Sequence, residues 1–336
     1  MKKILAALFL LFPLVANAQF IGTPYIISYP YIISNGTAVV SGHACSTAST
    51  GTMTEGVGVF GVSQTITADV TKVGTYNIST KSNGVTFSAS GTFASTGNQN
   101  IVLIAAGIPI TAGTNSFTLN TSTNCSFSRM TNIFVCGTTT VTFIYNGLAV
   151  TYGTVSSNGQ CWLDRNLGAT RVGLSSTDAN AYGNYFQWGR AADGHQILTS
   201  NTTTTVSTTN TPGNANFILA KPDWISPQKD NLWQGVSGIN NACPLGFRIP
   251  TITELDNERL SWSTNDAVGA FASPLKLTVA GYRYIDNVWT KANQMGRYWS
   301  STVFGSTVLC LEFINNSAYS NKALRSTGRT VRCIKN

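Results

Sequence analysis

Histidine is the residue type that most restricts the chemistry open to this chain. The sequence of 336 residues contains two histidines, His43 and His195, so a metal site built from three imidazoles cannot form within one domain. A Ser–His–acid hydrolase would also have to use one of these two residues, and neither lies in a nucleophile motif. His195 stands within Ala192-Asp193-Gly194-His195-Gln196, and we expect it to be a loop or packing residue.

The acidic residues offer few sites for acid–base chemistry or for calcium. Glu254 and Glu258 lie one helical turn apart, but Glu254 is better placed to form a capping box with Thr251. Asn265-Asp266 and Asp286-Asn287 are rich in oxygen ligands, although both pairs are typical of turns. The Glu/Gln-Pro-Asn/Asp and Trp-Asn-Asp triplets that cluster oxygen ligands around calcium do not occur. We therefore expect no cofactor, no bound metal and no enzymatic activity.

Aromatic and amide side chains suit ligand binding better. In the segment 315–321, tyrosine supplies rigid contact area while serine and asparagine supply hydrogen bonds. Of the seven tryptophans, two fall near turns and suit contacts with a sugar or a protein. The predicted ligand surface comprises Asn315, Asn316, Tyr319, Asn321, Trp262 and Trp289. The alternative is that 315–321 is an ordinary hairpin loop. Trp162, Trp188 and Trp299 are expected in the core.

The first 18 residues have the pattern of a secretory signal. Lys2 and Lys3 precede an apolar run from residue 4 to residue 15, and Ala16-Asn17-Ala18 forms a small-residue cleavage site before Gln19. This apolar run is too short to span a membrane, and no later run reaches ~20 apolar residues. The sequence thus predicts an exported protein, extracellular or on the outer cell surface, without a membrane span.

The charge pattern disfavours a nucleic-acid partner. Without Lys2 and Lys3, the 21 basic residues become 19 against 13 acidic ones, a balance of +6. These basic residues are scattered and form no run or basic helix. The low charged fraction, with abundant serine, threonine, asparagine and glycine, is typical of an extracellular β-rich protein.

A step in composition divides the mature chain into residues 19–135 and 136–336. All seven tryptophans and most charged residues follow Cys136. In the first part, apolar residues alternate at 85–89, 101–104 and 117–119, and turn signals separate these runs. We therefore predict a mainly β N-terminal domain, an immunoglobulin-like sandwich.

Residues 25–34, Tyr-Ile-Ile-Ser-Tyr-Pro-Tyr-Ile-Ile-Ser, nearly repeat themselves, strongly favour β structure and carry no charge. One interpretation is that they form the first strand of the sandwich. The other is that they add a strand to a neighbouring subunit, because an exposed strand of this kind pairs readily with another chain.

The second part mixes strands with short helices. Asn146-Gly147 predicts a hairpin between 141–144 and 148–152. Thr251 and Glu254 predict a capped helix over 251–262, with Leu255, Leu260 and Trp262 on its apolar face. The remaining expectations are a short helix near 178–188, a polar loop at 199–213, and buried strands at 297–302 and 328–335.

Residues ~136–336 resemble the Fibrobacter succinogenes major paralogous domain family, which occurs in many exported bacterial proteins. Phe247 and Arg248 depart mildly from the family pattern, which has a larger aromatic residue and often histidine there. The motifs that carry the resemblance are Cys161-Trp162-Leu163 with Asn166-Leu167, Tyr182-Gly183, Trp188-Gly189-Arg190, Cys243-Pro244-Leu245-Gly246-Phe247-Arg248-Ile249-Pro250-Thr251, Ala280-Gly281-Tyr282-Arg283, Tyr298-Trp299-Ser300-Ser301-Thr302 and Val331-Arg332-Cys333.

The resemblance implies a C-type-lectin-like fold of the α+β class, related to the formylglycine-generating-enzyme group. Members of this superfamily include enzymes, calcium-dependent sugar binders and protein binders, so the fold does not settle the function. A copper-dithiolate site like that of the formylglycine-generating relatives needs two late thiols. Cys310 and Cys333 are late, but Cys333 belongs to the terminal family motif and is expected to pair with Cys243, which disfavours thiol catalysis.

Seven cysteines in an exported chain predict disulfides with one thiol left over. Spacing alone does not fix the connectivity. The pairing we favour keeps each bond within one domain and leaves Cys310 as a buried free thiol. The favoured pairs are Cys45–Cys125, Cys136–Cys161 and Cys243–Cys333.

Two functions from different classes follow. In the first, the chain is a non-enzymatic adhesin whose lectin-like domain binds a glycan or protein ligand. In the second, it is a structural subunit of an extracellular filament or matrix that assembles through residues 25–34.

Overall fold

A computed structural model describes residues 36–336 of the chain and shows a mainly β protein. The expected signal (1–18) and the strand-forming segment 25–34 lie outside the described residues. In the described part, no helix is long and apolar enough to cross a membrane.

Two sheets form the N-terminal part of the described chain. A five-stranded sheet has the order β1-β3-β6-β5-β4, and a three-stranded sheet has the order β2-β8-β7. The strands are β1 (Val39–Thr50), β2 (Met53–Thr54), β3 (Ser63–Lys72), β4 (Gly74–Ser82), β5 (Val85–Phe93), β6 (Gly97–Gly107), β7 (Gly113–Thr118) and β8 (Ser126–Asn132).

One hydrophobic core joins these two sheets. Alternate residues along β3, β5 and β6 are buried, as period two requires when one face of a sheet packs inward. Phe87 of the larger sheet meets Phe117 and Phe127 of the smaller one edge to face, with ring centroids 4.9 and 5.2 Å away. The disulfide Cys45–Cys125 closes the side of this core.

The C-terminal part contains many short elements. Its sheets have the orders β10-β9, β11-β12-β23-β16, β13-β22-β17-β18, β14-β15 and β19-β20-β21. The strands are β9 (Val141–Tyr145), β10 (Leu148–Tyr152), β11 (Thr154–Ser157), β12 (Gln160–Leu163), β13 (Phe186–Gln187), β14 (Thr202–Thr203), β15 (Phe217–Ile218), β16 (Phe247–Arg248), β17 (Tyr282–Arg283), β18 (Trp289–Thr290), β19 (Gly296–Phe304), β20 (Thr307–Ile314), β21 (Ser317–Leu324), β22 (Gly328–Arg329) and β23 (Ile334–Lys335). The helices are α1 (Ile252–Leu260), α2 (Ala267–Ala272) and a 3₁₀ turn at Ala179–Ala181.

The capping box at α1 is confirmed. The amide of Glu254 donates to the Thr251 hydroxyl, and the Glu254 carboxylate accepts from the Thr251 amide. The predicted apolar face is only partly right, because Leu255 and Trp262 are buried whereas Leu260 is 71% exposed. The helix ends at Leu260, whose side chain faces solvent. Trp262 lies beyond the helix, and its side chain points into the core.

Other sequence expectations also meet mixed outcomes. The hairpin at Asn146-Gly147 is confirmed, with both residues at positive φ, and 297–302 lies within β19. The helix expected near 178–188 is wrong: only Ala179–Ala181 is helical, because the chain turns at Gly183 with φ +73°. Residues 328–335 are largely buried but form two short strands rather than one.

The structure contains the three favoured disulfides, and Cys310 is the free, buried cysteine. Cys136–Cys161 ties the start of the C-terminal part to β12. Cys243–Cys333 joins the segment before β16 to the segment before β23, and these two strands pair.

The two parts of the chain meet at residues 55–60. The amide of Gly58 donates to the carbonyl of Leu245 (3.1 Å), and Val57 is buried in the core of the C-terminal part. At Gly246, where φ is +89°, a Cβ atom would lie 2.1 Å from the Gly56 carbonyl oxygen. Glycine is therefore required at position 246 for the close approach of the two parts.

His195 is a fully buried packing residue. The amide of Gln187 donates to its Nε2 (3.0 Å), and its Nδ1 lies 2.6 Å from the Asp193 carboxylate. An imidazole that accepts at Nε2 must carry its proton on Nδ1 and be neutral. Burial lowers the pKa of His195 to about 4, although the hydrogen bond to Asp193 opposes this shift.

We predict that the contribution of His195 to stability is lost as the pH drops from about 6.5 to about 4. In this range the unfolded chain binds a proton at His195 and the folded chain does not, so acid favours unfolding. A shift from 6.5 to about 4 corresponds to about 3 kcal/mol. Urea unfolding at a series of pH values measures this loss. His43→Asn, which leaves His195 as the only histidine, should keep the part of the pH dependence that His195 contributes, whereas His195→Gln should remove that part; a His195→Gln profile that matches the His43→Asn profile would contradict the assignment.

Candidate functional site

An open groove lies beside α2. Its volume is about 700 Å³, and it lies between α2, the loop before β19 and the turn between β20 and β21. We call it the α2 groove. It is lined by Ser176, Thr177, Ala267, Val268, Phe271, Val279, Lys291, Asn293, Gln294, Met295, Ile314 and Asn315.

The lining combines hydrogen-bonding and apolar groups. Hydroxyls come from residues 176 and 177, and amides come from Asn293, Gln294 and Asn315. Val268 is a largely exposed apolar residue at the groove, and Met295 adds a thioether that adapts to irregular surfaces. Among these twelve lining side chains, Lys291 is the ionisable one. Such a lining fits an uncharged ligand with both polar and apolar faces.

The loop 291–295 holds its lining residues in a defined shape. Lys291 and Asn293 both adopt left-handed backbone conformations, with φ of 60° and 65°, which are uncommon for residues other than glycine. The Lys291 carbonyl accepts from the amides of Gln294 and Met295 (both 3.1 Å), and the Asn293 amide donates to the carbonyl of Val279 (2.9 Å). Tyr182 also donates to the side chain of Asn293.

The opposite wall depends on Asp266. Asn265-Asp266 is more than the ordinary turn expected, because Asp266 caps α2, a helix that the sequence did not predict. The Asp266 carboxylate accepts from the amides of Gly269 (3.0 Å) and Val268 (2.9 Å), and these hydrogen bonds lower its pKa. Gly269 lies against Thr264, where a Cβ atom would be 1.9 Å from the carbonyl oxygen.

The predicted segment 315–321 is a strand with a two-residue turn, since β21 begins at Ser317. Asn315 and Asn316 are the turn residues, and both are exposed. Asn315 lines the α2 groove, whereas Asn316 does not. The structure therefore brings one of the predicted binding residues to the groove.

Tyr319 and Asn321 lie on a different surface, beside the buried carboxylate of Glu312. The Tyr319 hydroxyl and the Asn321 amide each donate to Glu312 (both 3.2 Å), and Arg297 forms an ion pair with it (2.9 Å). Burial and the nearby carboxylate raise the pKa of Tyr319. The polar atoms of Tyr319 and Asn321 are thus engaged within the protein, which limits the adaptability expected of them, although the Tyr319 side chain is 40% exposed.

Trp262 is not a surface residue, and its place in the predicted ligand surface is wrong. It is 8% exposed, and its ring meets Phe313 edge to face at 5.6 Å. The indole N–H donates to the carboxylate of Glu258 (3.2 Å). Trp262 therefore closes the core beneath α1 rather than contacting a ligand.

Trp289 is 39% exposed and lies apart from Trp262. Its ring packs against Tyr182 and Tyr185, and its N–H donates to the Ala280 carbonyl (3.0 Å). Tyr182 connects Trp289 to the α2 groove through Asn293. As expected, Trp162, Trp188 and Trp299 are buried.

Cys310 is held away from solvent within the core. Burial raises the pKa of its thiol, and the Arg329 guanidinium donates to its sulfur (2.8 Å).

In the described residues, no group of three or more histidine, cysteine or acidic side chains is arranged to hold a metal ion. Asp286-Asn287 forms a turn in which Asn287 accepts from Arg283 (2.9 Å).

Several groove residues escaped the sequence analysis. Asn293, Gln294 and Met295 carry no motif, and Val268 belongs to a helix of six residues that is too short for a clear period of 3.6. The segment from Thr264 to Gly269, in which aspartate precedes a small apolar run, is the one signal from which α2 could have been predicted.

We predict that Glu312→Gln destabilises the protein by roughly 3 kcal/mol, because it leaves the half-buried Arg297 without its ion pair. Tyr319→Phe is the matched control: it removes one hydrogen bond to Glu312 but keeps the carboxylate, and should cost about 1 kcal/mol. Urea unfolding at pH 7 measures both. An equal, small effect of the two substitutions would show that Glu312 does not anchor this surface.

The sequence and the structure were compared with known proteins. No family model, curated protein or solved structure matches the chain.

Proposed function

We propose that the chain is an exported, non-enzymatic recognition protein of a bacterial cell surface. In this proposal, an immunoglobulin-like sandwich (19–135) presents a C-type-lectin-like domain (136–336) that binds a glycan or protein ligand. The two packed sheets of the first part and the short elements of the second are compatible with these folds.

The observation that carries the proposal is the α2 groove. Its volume of about 700 Å³ falls in the range of ligand sites, roughly 300–1,000 Å³. Amides and hydroxyls along one wall can form hydrogen bonds with a neutral ligand, and Val268, Phe271 and Ile314 can cover its apolar faces.

The fixed shape of the groove supports binding as well. Because hydrogen bonds hold the loop 291–295 and Asp266 holds the start of α2, little backbone freedom is lost when a ligand binds. The carboxylates described above lie outside the lining and are engaged in hydrogen bonds or ion pairs within the protein, which favours reversible binding over acid–base catalysis.

Two neighbouring asparagines provide the test. Asn315→Ala removes an amide from the groove lining, so we expect it to weaken binding about fivefold, the loss for one hydrogen bond of about 1 kcal/mol. Asn316→Ala, one residue further along the same turn, should leave the affinity unchanged. Binding of the mature protein to a glycan array and to whole cells identifies a ligand, and titration with that ligand compares the variants. Equal affinities for all three proteins would refute the proposed site.

The same assays separate the ligand classes. Binding to defined saccharides indicates a glycan, whereas cell binding that is lost after protease treatment of the cells indicates a protein. We expect binding to persist in a chelator, because no carboxylate lines the groove within residues 36–336. Binding that requires calcium would indicate a metal site near Asp266 or Asp286 and would contradict metal-free binding in the groove.

A further inference from the structure

A second groove lies where the two parts of the chain meet. Its volume is about 360 Å³, and we call it the junction groove. None of its lining side chains is ionisable. It is lined by Gly58, Val59, Phe60, Val141, Thr142, Phe143, Ile144, Ala192, Asn241, Ala242, Cys243, Pro244 and Leu245.

The junction groove follows the free edge of a β-strand. Four consecutive residues of β9, from Val141 to Ile144, line it. Successive side chains of a strand point to opposite faces, so a cavity that touches all four must run along the edge of the strand. β9 pairs with β10 in a two-stranded sheet, which leaves its other edge facing the groove.

The backbone of this edge is available for pairing. In a two-residue hairpin with a type I′ turn, Tyr145 and Leu148 form a hydrogen-bonded pair, and such pairs alternate along the ladder. The amides and carbonyls of Thr142 and Ile144 consequently point away from β10. Within residues 36–336, no other backbone group bonds to them.

Apolar side chains around this edge are exposed. Ile144 is 58% exposed and Leu245 is 56% exposed, and Phe60 is exposed beside them. An apolar patch next to an unpaired strand edge is a site for strand addition.

We propose that the junction groove binds residues 25–34 of a second copy of this chain, which add a third strand to the sheet of β9 and β10. This segment is uncharged, as the groove is, and strongly favours β structure. The added strand would receive main-chain hydrogen bonds from Thr142 and Ile144, and its apolar side chains would cover Leu245 and Phe60.

The pattern of the segment fits a strand that is paired on one side. Residues 25, 27, 29, 31 and 33 are Tyr, Ile, Tyr, Tyr and Ile, so one face is wholly aromatic or aliphatic. Pro30 belongs to the alternate set. The backbone groups of successive strand residues point to opposite edges. If the odd-numbered residues form hydrogen bonds with β9, the nitrogen of Pro30 therefore points away from β9. Proline is tolerated at such an edge.

Geometry favours a second copy over the chain's own segment. Gly36, where the described chain begins, accepts a hydrogen bond from Thr75, just beyond the end of β3. Phe60 in the groove lies just before the start of β3, and the ten residues of β3 span about 33 Å. An extended segment from 35 back to 25 reaches about 40 Å at most. Nearly the whole length of the segment would therefore be needed to reach the groove. Too few residues would remain to lie along the groove of the same chain.

The arrangement is head to tail. The described chain begins at one end of the N-terminal part, and the junction groove lies at the other end. Contacts between different surfaces that do not close a ring produce an open filament. The junction groove shares no lining residue with the α2 groove.

The first experiment measures the size of the mature chain (19–336) by analytical ultracentrifugation over a range of concentrations. We expect a series of oligomers that grows with concentration, and a monomer when residues 19–34 are deleted. Electron microscopy of the concentrated sample should show filaments.

A matched pair of proline substitutions tests the edge. Thr142→Pro removes an amide that points into the groove, and should give a monomer. Thr151→Pro removes an amide from the far edge of the same hairpin, opposite Thr142, and should assemble as the natural chain does. Leu245→Asp should also prevent assembly by placing a charge in the groove, whereas Leu174→Asp, on an exposed site outside it, should not. Circular dichroism checks that each variant is folded.

Mixing two assembly-deficient variants gives the sharpest result. The deletion variant keeps an acceptor groove and the Thr142→Pro variant keeps a donor segment, so together they should form a 1:1 heterodimer and nothing larger. A monomeric natural chain, assembly that survives Thr142→Pro and Leu245→Asp, or failure of the two variants to combine would each overturn the proposal. A monomeric natural chain whose residues 25–34 resist proteases would indicate that the segment is covered within its own chain.

Discussion

In the C-terminal part, buried arginines donate hydrogen bonds to backbone carbonyls that lie outside regular sheets and helices. Arg190, Arg283, Arg325, Arg329 and Arg332 are almost wholly buried, although arginine is rarely so. Most of their hydrogen bonds go to loop carbonyls and to nearby amides or carboxylates. A region with two short helices and many two-residue strands leaves many backbone groups outside regular ladders, and such groups must be paired when buried. One guanidinium has five donors in a rigid plane, so it can hold several loop segments together.

The shape of the α2 groove depends on the hydrogen bonds of these arginines. Arg332 donates to the carbonyl of Leu275 (2.8 Å) and to the side chain of Asn166 (2.9 Å). Asn166 in turn donates to the Tyr298 hydroxyl (3.1 Å), which accepts from the amide of Thr278 (2.8 Å). These bonds fix the segment that precedes Val279. Val279 lines the groove, and its carbonyl accepts from the backbone amide of Asn293 in the 291–295 loop. The shape of the α2 groove is therefore a consequence of buried polar contacts behind it.

Local signals in the sequence predicted local structure well. Asn146-Gly147 and Thr251 with Glu254 are short patterns whose hydrogen bonds close within a few residues, so no tertiary contact is needed to interpret them. Trp262 shows the limit: its position after a helix suggested exposure, but Phe313, about fifty residues further on, covers it. The partners of the buried arginines and the residues that line the α2 groove are set by contacts of the same long-range kind. The mainly β character could thus be predicted from the sequence, whereas the residues of the candidate site could be identified only from the three-dimensional structure.

The junction between the two parts determines how recognition and assembly could work together. Gly246 lies against the carbonyl of Gly56, Gly58 donates to Leu245, and the ammonium of Lys335 lies 5.2 Å from the ring of Phe134. Backbone contact this close leaves little freedom for one part to rotate against the other. If chains join through the junction groove, each α2 groove is held in a fixed orientation relative to the shared strand. Repeated grooves in one orientation bind a repetitive surface with an avidity that no single groove provides. A rigid junction would then matter for adhesion as much as the groove residues themselves.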